Sequence, residues 1–165
     1  MLDLYSIEDL RTGRSANVLL EKYARFMSGN NFCMSILLTY RGFTVGGVSY
    51  YGGVCHWPKA SKYNRKPLSK NVALVNLANN VNDEDLTFNL IHEISHLLGS
   101  AHDKDKKDCA NELNIMSEKI LPPGHEGRLS WSTCSKAAMG NYLKNILKYP
   151  KGLSIINLQH QNCFE

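Results

Sequence analysis

Apolar residues recur along this chain with two different periods, which predict two kinds of element. Spacings of three and four residues predict three helices, at residues 17–27, 83–98 and 132–148. Runs of apolar and β-branched residues predict three strands, at residues 32–40, 45–51 and 72–77. The first of these strands is expected to be buried. Elements of both kinds in one chain are typical of an α/β (α+β) domain.

The helix predicted at residues 83–98 carries two histidines on one face. Its apolar residues are expected to fix one face in the core: Leu86, Leu90, Ile94, Leu97 and Leu98. His92 and His96 are four residues apart, so both imidazoles point the same way. Glu93 lies at roughly 100° around the helix from His92, so it is less suited to be a ligand than to reach a water molecule on a metal.

Two histidines at this spacing can both place a ring nitrogen on one metal ion. A catalytic zinc ion usually has three protein ligands and one open position, which makes His102 the candidate third donor. Gly99 accepts the left-handed conformation that ends a helix and turns the chain back. The sequence therefore predicts one Zn²⁺ site formed by His92, His96 and His102.

Histidines four residues apart are also common on ordinary helix faces. The zinc interpretation is favoured because histidine, glutamate, histidine, glycine and histidine all fall at the required offsets. A rival ligand set uses a glutamate on a later helix, as in the gluzincins, and Asn111-Glu112 superficially resembles their dipeptide. The early His102 argues against that set.

Residues 92–102 read H-E-x-x-H-x-x-G-x-x-H and resemble the signature of the metzincin metalloproteases. Asp103, directly after the third histidine, is similar to the adamalysin or reprolysin branch, which includes snake-venom metalloproteases. Met116 resembles the methionine of the turn that metzincins place under the metal, and its Ile-Met-Ser context is similar to arthropod salivary and venom members. Residues 46–55 and 129–135 also resemble reprolysin segments.

This resemblance implies a metzincin-like catalytic domain with a twisted mixed sheet and an active-site helix. Residues 1–99 would form an upper subdomain, and residues 100–165 a smaller, irregular lower one with the third ligand, the methionine turn and a closing helix. The strand at 45–51 would be an edge strand that pairs with the substrate backbone. Asp103 would accept a hydrogen bond near the site. Family members begin with further segments, so an N-terminally incomplete domain is expected.

The chain contains five cysteines and no C-x-x-C pair, which favours disulfides over a metal cluster. The resemblance implies bridges from Cys55 to Cys163 and from Cys109 to Cys134. Cys33 is then expected to be a buried thiol or to pair with a cysteine of another chain.

Composition narrows the classes of partner. The 165 residues are enough for one domain, and the formal charge of +4 comes from scattered lysines rather than a basic stripe, so no nucleic-acid partner is expected. Neither a membrane span nor a signal peptide is evident. Calcium is common in the family, but the sequence does not support a calcium site.

These observations predict a secreted, monomeric zinc endopeptidase that cuts extracellular proteins, with Glu93 as the catalytic base. The alternative is a metalloprotease-like toxin or binding module that does not cut. The intact Glu93 favours the enzyme, because a binding module has no physical need for it. The protein substrate is not predictable from these residues.

Overall fold

The computed structural model describes residues 13–28, 32–55, 68–79, 82–117 and 121–147. These ranges contain three α-helices, α1 (Gly13–Phe26), α2 (Asp83–Leu97) and α3 (Thr133–Leu147). They also contain three strands, β1 (Ser35–Thr39), β2 (Gly47–Ser49) and β3 (Val72–Asn76). The predicted α+β class is confirmed. Each predicted strand is longer than the observed one, and α1 begins four residues before the predicted start.

The strands form a mixed sheet in the order β1-β3-β2. β1 runs parallel to β3, whereas β2 runs antiparallel to it and lies at an edge. All five residues of β3 are buried, because helices cover both faces of this central strand. The expectation of a buried strand at 32–40 is wrong: β1 lies at the other edge of the described sheet and is half-buried, with Leu38 46% exposed.

Side chains alternate between the two faces of β3 and join two apolar clusters. Val72 and Leu74 pack with Leu20 of α1, while Ala73 packs on the opposite face with Leu97 of α2. The sheet therefore separates α1 from α2, and it presents its second face to the helix that carries His92 and His96.

Helix α2 is well specified at both ends. The side chain of Asn82 accepts a hydrogen bond from the backbone N–H of Asp85, which caps the helix, and three acidic residues occupy the first turn. Gly99 follows the last turn with a φ of 85°, the left-handed conformation expected of it.

The predicted core face of α2 is largely wrong. Of the five apolar residues expected there, only Leu97 is fully buried, whereas Asn89, Glu93 and Ser95 are buried as well. Part of the reason is the facing segment: the chain approaches α2 through Gly46 and Gly47, so the side chains of Asn89 and Glu93 fill the space that two β-carbons would occupy. Burial on this helix follows the shape of its neighbours more than its own hydrophobic pattern.

The predicted bridge between Cys109 and Cys134 is present and joins the segment after His102 to α3. Cys55 is also disulfide-bonded, and its predicted partner Cys163 lies outside the described residues. Cys33 is a half-buried thiol that packs against the cluster of Val54 and Leu97.

Among the residues described, no helix is long and apolar enough to span a membrane. The division into subdomains at residue 99 stays a prediction.

Candidate metal centre

Three imidazole rings converge beside the carboxyl end of α2. The Nε2 atom of His102 lies 3.1 Å from that of His92 and 3.2 Å from that of His96. A tetrahedral zinc ion with nitrogen ligands at about 2.0–2.1 Å would hold its ligand atoms about 3.3 Å apart. The spacing of these nitrogens therefore fits a single zinc ion, and all three predicted ligands meet at one point.

Backbone carbonyl groups set which ring nitrogen of two histidines carries the proton. His92 Nδ1 lies 2.7 Å from the Ile115 carbonyl oxygen, and His96 Nδ1 lies 2.8 Å from that of Ser100. A carbonyl oxygen only accepts, so both Nδ1 atoms donate and both Nε2 atoms present lone pairs. A neutral His102 has one N–H at most to offer to two such lone pairs. A cation satisfies all three rings, which supports a metal site on chemical grounds.

The electrostatic surroundings also favour neutral rings. Burial lowers the pKa of His92 to about 4, with a smaller lowering from His96. Burial likewise lowers the pKa of His96. A metal ligand must be deprotonated, so these shifts keep both rings ready for a metal at neutral pH.

His102 lies in a loop that is held in place at the next residue, Asp103. The backbone N–H of the next residue, Asp103, donates to the Met116 carbonyl at 2.9 Å. The buried Asp103 carboxylate accepts hydrogen bonds from the hydroxyl groups of Ser132, at 2.6 Å, and Ser135, at 2.9 Å. Asp103 thus ties the loop to the start of α3, as a hydrogen-bond acceptor near the site.

Met116 is fully buried in a cluster with Phe88 and Ile115. The carbonyl of Ile115 accepts the hydrogen bond from His92, so this segment supports the metal centre through its backbone. Met116 lies in the segment where the resemblance expects the methionine turn, and its role there stays a prediction.

Glu93 lies on the side of α2 that faces β2. It is 4% exposed, and its Oε2 atom accepts a hydrogen bond from the Ser49 hydroxyl at 2.6 Å. Burial raises the pKa of Glu93 to about 7, and the hydrogen bond from Ser49 opposes part of that rise. A carboxyl group with this pKa can take up and release a proton near neutral pH.

β2 leaves one side open next to this carboxylate. Its residues Gly47, Val48 and Ser49 pair with β3 on one side, and no other described strand pairs with the opposite side. An unpaired strand edge offers N–H and C=O groups to an extended peptide. Ser49 therefore links a potential peptide-binding edge directly to Glu93.

Two supports of the site were missed from the sequence. The Trp131 indole N–H donates to the Ser95 hydroxyl at 2.8 Å, between the two histidines of α2. Buried Arg128 forms ion pairs with Glu84 and Asp85 at the start of α2 and lies 5.3 Å from the centre of the Phe88 ring. Only the position of Ser95 within the histidine motif could have indicated its contact with Trp131, and that indication is weak. The second joins residues 43 positions apart and left no local signal.

The rival ligand Glu112 is not part of the metal centre. Its carboxylate accepts a hydrogen bond from the Asn114 side chain at 2.9 Å. Among the described residues, the three histidines form the only group of three or more potential ligand side chains within bonding range of one ion.

Comparisons with known proteins point the same way. The sequence model of a family described as Metallo-peptidase family M12 (Reprolysin_5) matches residues 6–143. The protein named "A disintegrin and metalloproteinase with thrombospondin motifs 19", from Mus musculus and from Homo sapiens, is 29% identical over 119 residues. That alignment covers 67% of this chain and 9% of each relative. A second relative, "A disintegrin and metalloproteinase with thrombospondin motifs 14" from Homo sapiens, is 30% identical over 111 residues. That alignment covers 66% of this chain and 8% of the relative. The chain thus spans less than a tenth of the length of these curated relatives.

Proposed function

The chain belongs to metallo-peptidase family M12, and we propose that it is a zinc endopeptidase that hydrolyses peptide bonds in extracellular proteins. The observation that carries this proposal is the convergence of three imidazole Nε2 atoms, two of them on the helix that also carries a buried carboxyl group, which is hydrogen-bonded to a strand with an open edge. Each of the three parts has a task in peptide hydrolysis.

His92, His96 and His102 would hold the zinc ion. Zinc bound there would polarise a peptide carbonyl and lower the pKa of a water molecule at its open position. The hydrogen bonds from two Nδ1 atoms to backbone carbonyls keep the ligand nitrogens aimed at the ion.

Glu93 would move the proton. Its carboxylate takes a proton from the attacking water and returns it to the leaving amine, as a general base and then a general acid. The Ser49 hydroxyl orients Oε2 and stabilises the ionised form. In the metal-free chain, burial counters this by raising the pKa of Glu93 to about 7.

β2 would bind the substrate backbone. An extended peptide can add to its open side as a further strand, with backbone hydrogen bonds that do not depend on the peptide sequence. Ser49, at the end of β2, then brings the bound peptide close to Glu93.

Disulfides support a location outside the cell. Cys109 is bonded to Cys134, and Cys55 is also disulfide-bonded, as is typical of proteins from oxidising compartments. We therefore place the substrates among extracellular proteins and expect the chain to act as a monomer.

The test is cleavage of a quenched fluorescent peptide library by the zinc-loaded chain. We expect the wild type to cut, and both a chelator and Glu93→Gln to abolish cleavage while Glu93→Gln keeps its zinc. Glu126→Gln, on an exposed turn, is the matched control and should cut like the wild type. Turnover by Glu93→Gln at the wild-type rate would refute the role of Glu93. Zinc binding by a wild-type chain that cuts nothing would instead favour the non-catalytic binding module.

A further inference from the structure

Tyr142, on α3, contacts two turns that flank the metal centre. Its hydroxyl group lies 2.6 Å from the carbonyl oxygen of Gly52 and 2.9 Å from that of Val54. Its ring packs against two glycines: a β-carbon added to Gly52 would lie 3.1 Å from a ring carbon, and one added to Gly99 would lie 3.0 Å from another. One side chain therefore touches both the turn that follows β2 and the turn that ends α2.

Backbone hydrogen bonds join the same two turns to His96. The N–H groups of Gly52 and Gly99 both donate to the His96 carbonyl at 2.9 Å, and the N–H of Val54 donates to the Leu97 carbonyl at 3.1 Å. The last carbonyl groups of a helix have no partner within the helix, so these bonds dock the chain after β2 onto the end of α2. The acceptor shared by Gly52 and Gly99 is the backbone carbonyl of His96, a predicted zinc ligand.

The two glycines make this contact specific. Gly52 has a φ of 62° and Gly99 a φ of 85°, a region that residues with side chains rarely adopt. Any side chain at either position would also press on the Tyr142 ring. The Tyr142 ring therefore packs between two turns only because each has a glycine at the point of contact.

β2 is a short strand, and the Ser49 hydroxyl, which donates to Glu93, adds to its pairing with β3. Only three residues pair with β3, and the opposite side of the strand is open among the residues described. The position of such a short strand also depends on what anchors the chain next to it. Gly52 lies three residues after Ser49, so the Tyr142 contact is close enough to act on β2.

We propose that Tyr142 is a positioning residue for peptide hydrolysis, which holds the turn after β2 on the end of α2 and so sets the distance between the substrate-binding edge and His96. This inference rests on the proposed function, in which β2 pairs with the substrate. In this role Tyr142 would act through the turn, by its contacts with Gly52 and Val54, rather than by contact with substrate or metal. Burial raises the pKa of Tyr142 to about 12, so its hydroxyl remains a donor throughout the pH range of an assay.

A matched control separates positioning from simple loss of stability. Tyr23 of α1 also has a half-buried hydroxyl group, which lies 2.5 Å from the Ser35 hydroxyl of β1. This contact is on the opposite face of the sheet from α2. Tyr23→Phe removes a hydroxyl group with one hydrogen-bond partner, and Tyr142→Phe removes one that is shared between two carbonyl oxygens. Both variants keep the ring, so both should lower stability modestly.

The experiment compares the two variants in steady-state cleavage of one peptide. We expect Tyr142→Phe to raise KM about fivefold while kcat and zinc affinity change less than about twofold. We also expect faster amide hydrogen exchange at Gly52 and Val54, because their turn opens more readily. Tyr23→Phe should leave KM and both exchange rates at wild-type values. In Gly52→Ala, the added β-carbon would press on the Tyr142 ring and disturb the same contact. This variant should therefore also raise KM.

Equal KM values and equal exchange rates in Tyr142→Phe and Tyr23→Phe would overturn the positioning role. A wild-type chain that binds zinc and cuts no peptide would overturn the proposed function instead. The two failures are distinguishable, because amide exchange reports on the turn, and zinc affinity on the metal centre, without any turnover.

Discussion

Gly47 of β2 lies where the strand comes closest to α2, and we predict that Gly47→Ala is destabilising. A β-carbon at this position would lie 2.7 Å from both Cγ and Oε1 of Glu93 and 2.8 Å from the backbone oxygen of Leu74. The Glu93 side chain can rotate away. The Leu74 oxygen cannot, because it belongs to the central strand, so β2 itself must shift.

The expected cost follows from these distances. Forcing one extra carbon into a well-packed site costs about 1–3 kcal/mol, and a chain of this size then loses roughly 3–10 °C in Tm. Replacing glycine by alanine also restricts the unfolded chain, which offsets about 0.4–1 kcal/mol of that cost where the backbone conformation is compatible. The net loss in the free energy of unfolding should be about 1–2 kcal/mol.

Gly42→Ala is the matched control, since a β-carbon there meets nothing within 4 Å. Urea unfolding of the metal-free proteins measures both variants free of any contribution from zinc binding. We expect Gly42→Ala to be neutral or slightly stabilising and Gly47→Ala to unfold at lower urea. Equal midpoints for the two variants would show that a β-carbon at Gly47 fits beside the Leu74 oxygen without a shift of β2, and would refute the reasoning.

Two further predictions concern α2. In the folded, metal-free chain, burial raises the pKa of Glu93 from 4.5 to about 7, so its ionisation opposes folding as the pH rises through that window. Glu93→Gln should therefore stabilise the metal-free protein by about 2–3 kcal/mol more at pH 8 than at pH 5, measured by urea unfolding; equal effects at the two pH values would contradict it. Arg128→Met leaves Asp85 without its buried ion-pair partner and should cost about 2–4 kcal/mol. Arg25→Met, which breaks an exposed pair with Glu21, should cost less than about 1 kcal/mol in the same assay, and similar losses for both would argue against a special role for Arg128.

The metal centre was more predictable than the packing around it. His92, Glu93 and His96 lie within one helix, and Gly99 turns the chain toward His102, so short-range geometry is enough to bring the three rings together. The bounds of α2 were predicted to within one residue for the same reason, because its cap at Asn82 is local. The functional roles of these residues remain predictions.

Burial on α2 and the supports of the site were not predictable, because they depend on contacts between distant segments. Asn89 and Glu93 are buried where the facing segment carries Gly46 and Gly47, which leave room for their side chains. Likewise, Arg128 finds its acidic partners and Tyr142 finds its two turns only after the chain has folded. A hydrophobic pattern records how apolar a position is, not the shape of the surface that it meets.

The hydrogen bonds that orient His92 and His96 end on main-chain oxygens, those of Ile115 and Ser100. Every amino acid carries such an oxygen, so no substitution at these two positions can delete the acceptor. The orientation of the two imidazole rings is therefore set by the path of the backbone rather than by particular side chains. Substitutions at residues 100 and 115 should therefore disturb the orientation of the two rings less than a one-residue insertion or deletion nearby. Such an insertion or deletion would move the acceptor oxygens themselves.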